Sequence, residues 1–145
     1  MSQSFDFAQA PGHLIRRAQQ IAVSIFAEHL AAFDVTPVQF AILNALMDAP
    51  GTDQVTLSAR VAFDAATSGS VIGRLESKGW VRREASAHDR RRKLLWLTPR
   101  GERAVLHMAP QVTQVQALIL QPLTAQEQQQ LLSLLAKLVN AHNAA

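Results

Sequence analysis

The sequence predicts a mainly α fold that carries one small β-hairpin, and three observations lead there. Helix punctuation is dense: Thr36-Pro37-Val38-Gln39 and Leu123-Thr124-Ala125-Gln126-Glu127 both read as capping boxes, in which a threonine and a residue three places on satisfy each other's backbone donors. Strand signals are confined to Trp80–Arg83 and Lys93–Leu97. Between them lies a basic run, Arg90-Arg91-Arg92-Lys93, with only Asp89 beside it. A helix followed at once by an arginine-tipped hairpin is how a winged helix-turn-helix grips a duplex, helix in the major groove and tip in the minor groove. The expected class is therefore a winged helix-turn-helix with long N- and C-terminal helices.

The elements follow in order. A first helix is expected from about Pro11 to Phe33. A second opens at the Thr36 box, with Pro37 at the first helical position, and ends near Asp48 before Pro50-Gly51. A short third runs from Thr56 to about Ala62. Asp64 caps a fourth, which continues to Lys78 and stops at Gly79, because glycine enters the left-handed conformation without steric cost. The hairpin turns around Ala85–Arg92. Thr98-Pro99 starts a fifth helix, with a kink expected near His107 from Pro110 and an end at Pro122. The last helix carries Leu131, Leu134, Leu135 and Leu138 on one face.

Composition narrows the function. With 145 residues and a 48% hydrophobic fraction, the chain reads as a single domain, 1–145, with a real core. Within it, residues 34–98 form the expected DNA-binding module, and 10–33 and 99–145 the dimerisation helices. Net charge is only +3, but eight of the fourteen Lys and Arg residues fall between positions 82 and 103, against three acids. Clustered positive charge gains affinity for phosphates by releasing counterions. There are no cysteines, which excludes disulfides, thiolate zinc sites and thiol-based sensing. The first ten residues have no signal-peptide pattern, and no run of about 18 apolar residues occurs, so a cytoplasmic location without a membrane span is expected. The terminal helices have more apolar face than so small a module covers. A second copy of the chain is the expected partner, and it would supply the two-fold symmetry of a pseudo-palindromic operator in double-stranded DNA.

On the fourth helix, at 100° per residue, Val71, Ile72 and Leu75 point inward with Ser68. Ala66, Thr67, Gly69, Ser70, Gly73, Arg74 and Ser77 lie on the other face or its edges. That outer face has little bulk and admits close approach to base edges. Thr67 and Ser70 are candidates for hydrogen bonds and thymine methyl contacts, Arg74 and Ser77 for the backbone. Packing against another helix is the competing use of so many small residues. At the tip, Arg90 and Arg91 suit a narrow minor groove, with Arg92 beside them, and Asp89 is expected to pair with a neighbouring arginine.

These residues resemble the MarR (multiple antibiotic resistance regulator) family of bacterial transcription factors over nearly the whole chain. The family's wing signature, Asp-x-Arg, three residues, Leu-x-Leu-Thr and then Gly, is met by Asp89, Arg91, Leu95, Leu97, Thr98 and Gly101. Arg74-Leu75-Glu76 with Gly79 and Val81 matches the end of its recognition helix. Thr36-Pro37-Gln39-Phe40 matches its second helix, and Leu123-Thr124 with Glu127 its last. The resemblance implies a homodimeric repressor whose first, fifth and sixth helices form the dimer interface. The chain departs from it at Ser70, where a basic residue is frequent, and at Gly69, where a bulkier one is. Base readout is therefore expected to lean on the wing and on DNA shape.

Helix 1 offers a candidate effector site. His13, Arg16, Arg17, Gln20 and Ser24 share a polar face, and an arginine with hydrogen-bonding neighbours beside aromatic surface suits an aromatic carboxylate. The resemblance implies a small aromatic acid, or its CoA thioester, bound between the dimerisation helices and the winged module. Pro11-Gly12-His13-Leu14-Ile15-Arg16-Arg17 is similar to regulators of aromatic-acid degradation. A solvated face, DNA phosphates and partner carboxylates remain alternative uses of these arginines. The five histidines are scattered without metal-ligand spacing, so no metal and no cofactor are expected, although an effector-independent or metal-responsive DNA-binding protein is the alternative reading. No nucleophile elbow or phosphate loop is present, so no enzyme is expected.

Overall fold

The computed structural model describes residues 4–62 and 64–143. Six helices are set out in order as α1 Pro11–Leu30, α2 Pro37–Asp48, α3 Gln54–Arg60, α4 Ala65–Ser77, α5 Pro99–Leu120 and α6 Ala125–Asn143. Three strands, β1 Thr52–Asp53, β2 Val81–Ala85 and β3 Lys93–Leu97, form an antiparallel sheet in the order β1-β3-β2. The fold class is the expected one. Residues 1–3 of the N-terminal stretch, and 144–145 of the expected 99–145 segment, lie outside the described residues.

The chain separates into two compact units, 26–112 and the terminal segments 1–25 with 113–145. The first unit takes in more than residues 34–98. It includes the end of α1, where Phe26 and Leu30 are buried, and the first half of α5, where Val105 and Met108 are buried. Its core joins these to Ile42, Leu43 and Leu46 of α2, Leu57 of α3, Ile72 and Leu75 of α4, and Val81 and Leu95 of the sheet. The second unit holds the rest of α1 and α5 and all of α6.

Local chemistry sets most boundaries. Both capping boxes form: the Gln39 and Glu127 amides donate to Thr36 and Thr124 Oγ1, and their side chains accept from the Thr36 and Thr124 amides. α4 ends in a Schellman motif, Gly79 N–H donating to Glu76 O and Trp80 N–H to Leu75 O, with Gly79 at φ +76°. α5 runs as one element through Pro110.

Three expectations are corrected here. α3 begins at Gln54 and not at Thr56, because Asp53 is its cap: Asp53 Oδ2 accepts the Thr56 N–H at 3.2 Å, which puts Thr56 inside the first turn. The short strand β1 was not expected. It forms because Thr52 and Asp53 add to the edge of β3 opposite Leu95 and Leu94. The first hairpin strand also starts one residue later and runs two further than Trp80–Arg83, reaching Ala85 opposite Lys93.

Candidate nucleic-acid interface

α4 presents the two faces that its spacing predicts. Ser68, Ile72 and Leu75 are buried and Val71 is half-buried, while Thr67, Ser70, Arg74 and Ser77 are exposed. The hydrogen bonds divide the outer residues. The Thr67 hydroxyl donates to Asp64 Oδ2 at 2.9 Å within the helix cap, which occupies its donor. Those cap bonds, the Thr67 N–H first, hold the Asp64 carboxyl below its ordinary pKa. Ser77 Oγ is turned back onto Gly73 O at 3.0 Å, which occupies its donor. Arg74 has no acidic partner among the described residues, so its guanidinium is available to a phosphate.

A groove of about 480 Å³ runs between this face and the start of α2, lined by Thr36, Gln39, Ser70, Gly73, Arg74 and Lys78 among others. Lys78 is fixed there and is not a free cation. Its ammonium donates to the Asp34 carbonyl, reaches Gln39 Oε1 at 3.4 Å, and lies 4.8 Å from the centre of the Trp80 ring.

In the wing, three of the basic residues are held within the chain. Arg82 pairs with Glu84 and lies over Trp96, its cross-strand neighbour, at 5.2 Å. Arg83 binds Glu76 of α4 at 2.9 Å. Arg92 binds Asp53 at 2.9 Å. Arg90 and Arg91, exposed at the tip, have no carboxylate partner among the described residues. Lys93, also exposed, likewise has none. Asp89 corrects the sequence reading: among the described residues it takes no arginine side chain, and instead its carboxylate accepts the Arg91 backbone N–H at 2.9 Å. This Asx turn stiffens the tip without neutralising it.

Asp53 was missed from the sequence as part of this site. Its carboxylate caps α3, accepts the Thr56 hydroxyl at 2.6 Å and binds Arg92. The Thr56 hydroxyl first, and the Arg92 guanidinium second, hold its pKa at about 2. A pKa lowered below the unfolded value of about 4 adds stability that is complete above that value and is lost as pH falls towards 2. The contact therefore does not titrate near neutrality.

On α1 the candidate effector residues divide into pairs. His13 Nδ1 lies 3.4 Å from Arg16 Nη2, and the Phe7 ring lies tilted against the imidazole at 4.5 Å between centroids. Arg17 donates to Gln20 Oε1 at 2.6 Å. Ser24 is exposed on the same helix. His13 is half-buried and the other four are exposed, so the face is an open, basic, aromatic-edged strip. Phe7 belongs to it and was not singled out in the sequence. On α5, His107 meets the Phe33 ring edge-on at 5.4 Å. Among the described residues no three His, Cys, Asp or Glu side chains gather as a metal site, and no single helix is long and apolar enough to cross a membrane.

A family model described as MarR family matches residues 33–92. Transcriptional regulator HosA of Escherichia coli O127:H6 is 35% identical over 121 residues, 80% of this chain and 90% of its own length. The chain belongs to the MarR family. It is a MarR-type DNA-binding transcriptional regulator, not an enzyme. Other MarR-family similarities extend further along the chain. HTH-type transcriptional repressor NicR of Pseudomonas putida is 31% identical over 137 residues, 94% of this chain and 87% of NicR. The structure described as a mechanism for regulation of DNA binding of Bordetella bronchiseptica BpsR by 6-hydroxynicotinic acid superposes with a TM-score of 0.90 at 32% identity, covering 94% of this chain and 98% of that one.

The exposed face of α4 and the Arg90-Arg91 tip remain the candidate DNA-facing surfaces. The structure adds what spacing could not supply: Arg92, a candidate phosphate contact by its place in the run, is engaged across 39 residues by Asp53.

Proposed function

We propose that this regulator is a homodimeric repressor that binds a pseudo-palindromic operator and is released from it by a small aromatic carboxylate or its CoA thioester. In this reading Thr67, Ser70, Arg74 and Ser77 enter the major groove, and Arg90 and Arg91 the minor groove. The observation that carries the effector half is the α1 strip, where the Phe7 ring packs tilted against His13 and two guanidinium groups stand within one helical turn. A ring can lie against the aromatic edge while Arg16 or Arg17 forks a carboxylate. The aromatic acid named for BpsR, and the repressor role named for NicR, support the same chemistry. Release requires that the effector bind the DNA-incompetent dimer more tightly than the competent one, since equal affinity for both shifts nothing.

The test is fluorescence anisotropy on DNA from upstream of the protein's own gene, titrated with a panel of aromatic carboxylates and their CoA thioesters. The expected result is tight, salt-sensitive binding relaxed by one compound, whose affinity falls in His13→Ala and Arg17→Ala while DNA binding without effector stays at the parent level. DNA binding that no compound relaxes, or an effector held equally well by both variants, would sink the effector site.

A further inference from the structure

Arg92 and Asp53 hold each other at the root of the wing loop. Arg92 directly precedes β3, and its carbonyl accepts the Ser86 N–H at 2.9 Å, closing the loop between the two strands. Its guanidinium reaches Asp53 Oδ1 at 2.9 Å. Asp53 is itself fixed from three sides. Its backbone lies opposite Leu94 in the sheet, its carboxylate caps α3, and its side chain is only 12% exposed. α3 in turn packs with α4, the helix that carries the base-reading face. One carboxylate thus ties the wing loop, through α3, to the recognition helix.

We infer that Asp53 is a positioning residue for DNA binding, which makes Arg92 an anchor of the wing and not a phosphate contact. The anchor sets where Arg90 and Arg91 stand relative to α4. An unanchored loop would sample many tip positions, and each duplex contact would then cost the entropy of ordering it. This rests on the family's DNA-binding activity and not on the effector reading.

Simple electrostatics predicts the opposite sign. An acid beside a DNA-facing surface repels phosphates, so removing its charge should tighten binding. The informative variant is Asp53→Asn, because asparagine caps helices about as well as aspartate and leaves α3 its cap. The duplex is one selected from a random library by the parent protein, and Kd is measured across a salt series. Asp53→Asn and Arg92→Ala should each weaken binding roughly tenfold, and the double variant should be no weaker than either single one. Both should keep the parent's slope of log Kd on log salt, whereas Arg91→Ala should lower that slope by about one. Hydrogen exchange without DNA should find amides 86–92 less protected in Asp53→Asn and those of α2 unchanged. Tighter or unchanged binding by Asp53→Asn overturns the proposal. So does a slope lowered by about one in Arg92→Ala, which would make Arg92 a phosphate contact, and so does unchanged protection of the loop.

Discussion

Gly73 stands on the outer face of α4, and a Cβ built there would meet nothing within 4 Å. A glycine inside a helix costs roughly 0.5–1 kcal/mol relative to alanine, so its presence at an unobstructed position calls for a reason outside the fold. Close approach of the helix to a duplex is such a reason. Gly73→Ala is expected to raise the melting temperature by about 2–4 °C and to weaken operator binding at the same time. Thermal unfolding and anisotropy on the same sample check both signs, and an alanine variant that binds as tightly as the parent would remove Gly73 from the interface. Gly69 differs, because its Cβ would sit 3.3 Å from Gln54 Nε2, the end of a flexible side chain from α3. At the same scale the wing's arginines sort by partner: Arg90 and Arg91 have no carboxylate partner among the described residues, whereas Arg92 is held.

Among the elements, the junction from β2 back to α5 is the most constrained. Thr98 N–H donates to Trp80 O, Thr98 Oγ1 donates to Gly79 O at 2.6 Å, and Gly101 N–H donates to Thr98 Oγ1 at 3.0 Å. The start of α5 is thereby stitched to the end of α4, and the hairpin leaves and returns at one point. Gly101 is buried against the Trp80 backbone, and a Cβ there would overlap the Trp80 carbonyl. The close approach, and not a special φ, requires glycine at this position. Gly101→Ala should therefore destabilise the fold by about 1–3 kcal/mol, since backbone must move to admit the methyl. Urea unfolding measures it. A variant as stable as the parent would mean that α5 and the hairpin can part without cost.

At the level of the whole molecule, α6 is the element that a single chain leaves unfinished. Leu131, Leu132, Leu134, Leu135, Leu138 and Val139 are all exposed, and no residue of the helix is buried. An amphipathic helix gains its stability in water from covering its apolar face, so this stripe calls for a partner, and the proposed homodimer supplies one. Leu134→Lys combined with Leu138→Lys should shift the protein to monomer in sedimentation velocity and abolish specific operator binding, because one copy reads only half of a two-fold site. A double variant that stays dimeric would place the interface elsewhere.

The sequence by itself determined the six helices, the hairpin and the two surfaces that α4 presents. Caps, the Gly79 stop and the alternation of faces are interactions over three or four residues, so spacing encodes them directly. Asp53 obeys the same rule, and its pairing with Thr56 was open to the same reading. What the tertiary structure decided was which charges remain free. Arg92 and Asp53 lie 39 residues apart, and Arg83 meets Glu76 from the next element. Such pairs form only after helices and sheet have packed, and no local spacing specifies them. The addition of β1 to the edge of β3 belongs to the same class, because two residues with weak strand character become a strand only when β3 offers them an edge. Of the three arginines in the basic run, two are left without a carboxylate partner among the described residues and one is held, a division made by packing and not by composition.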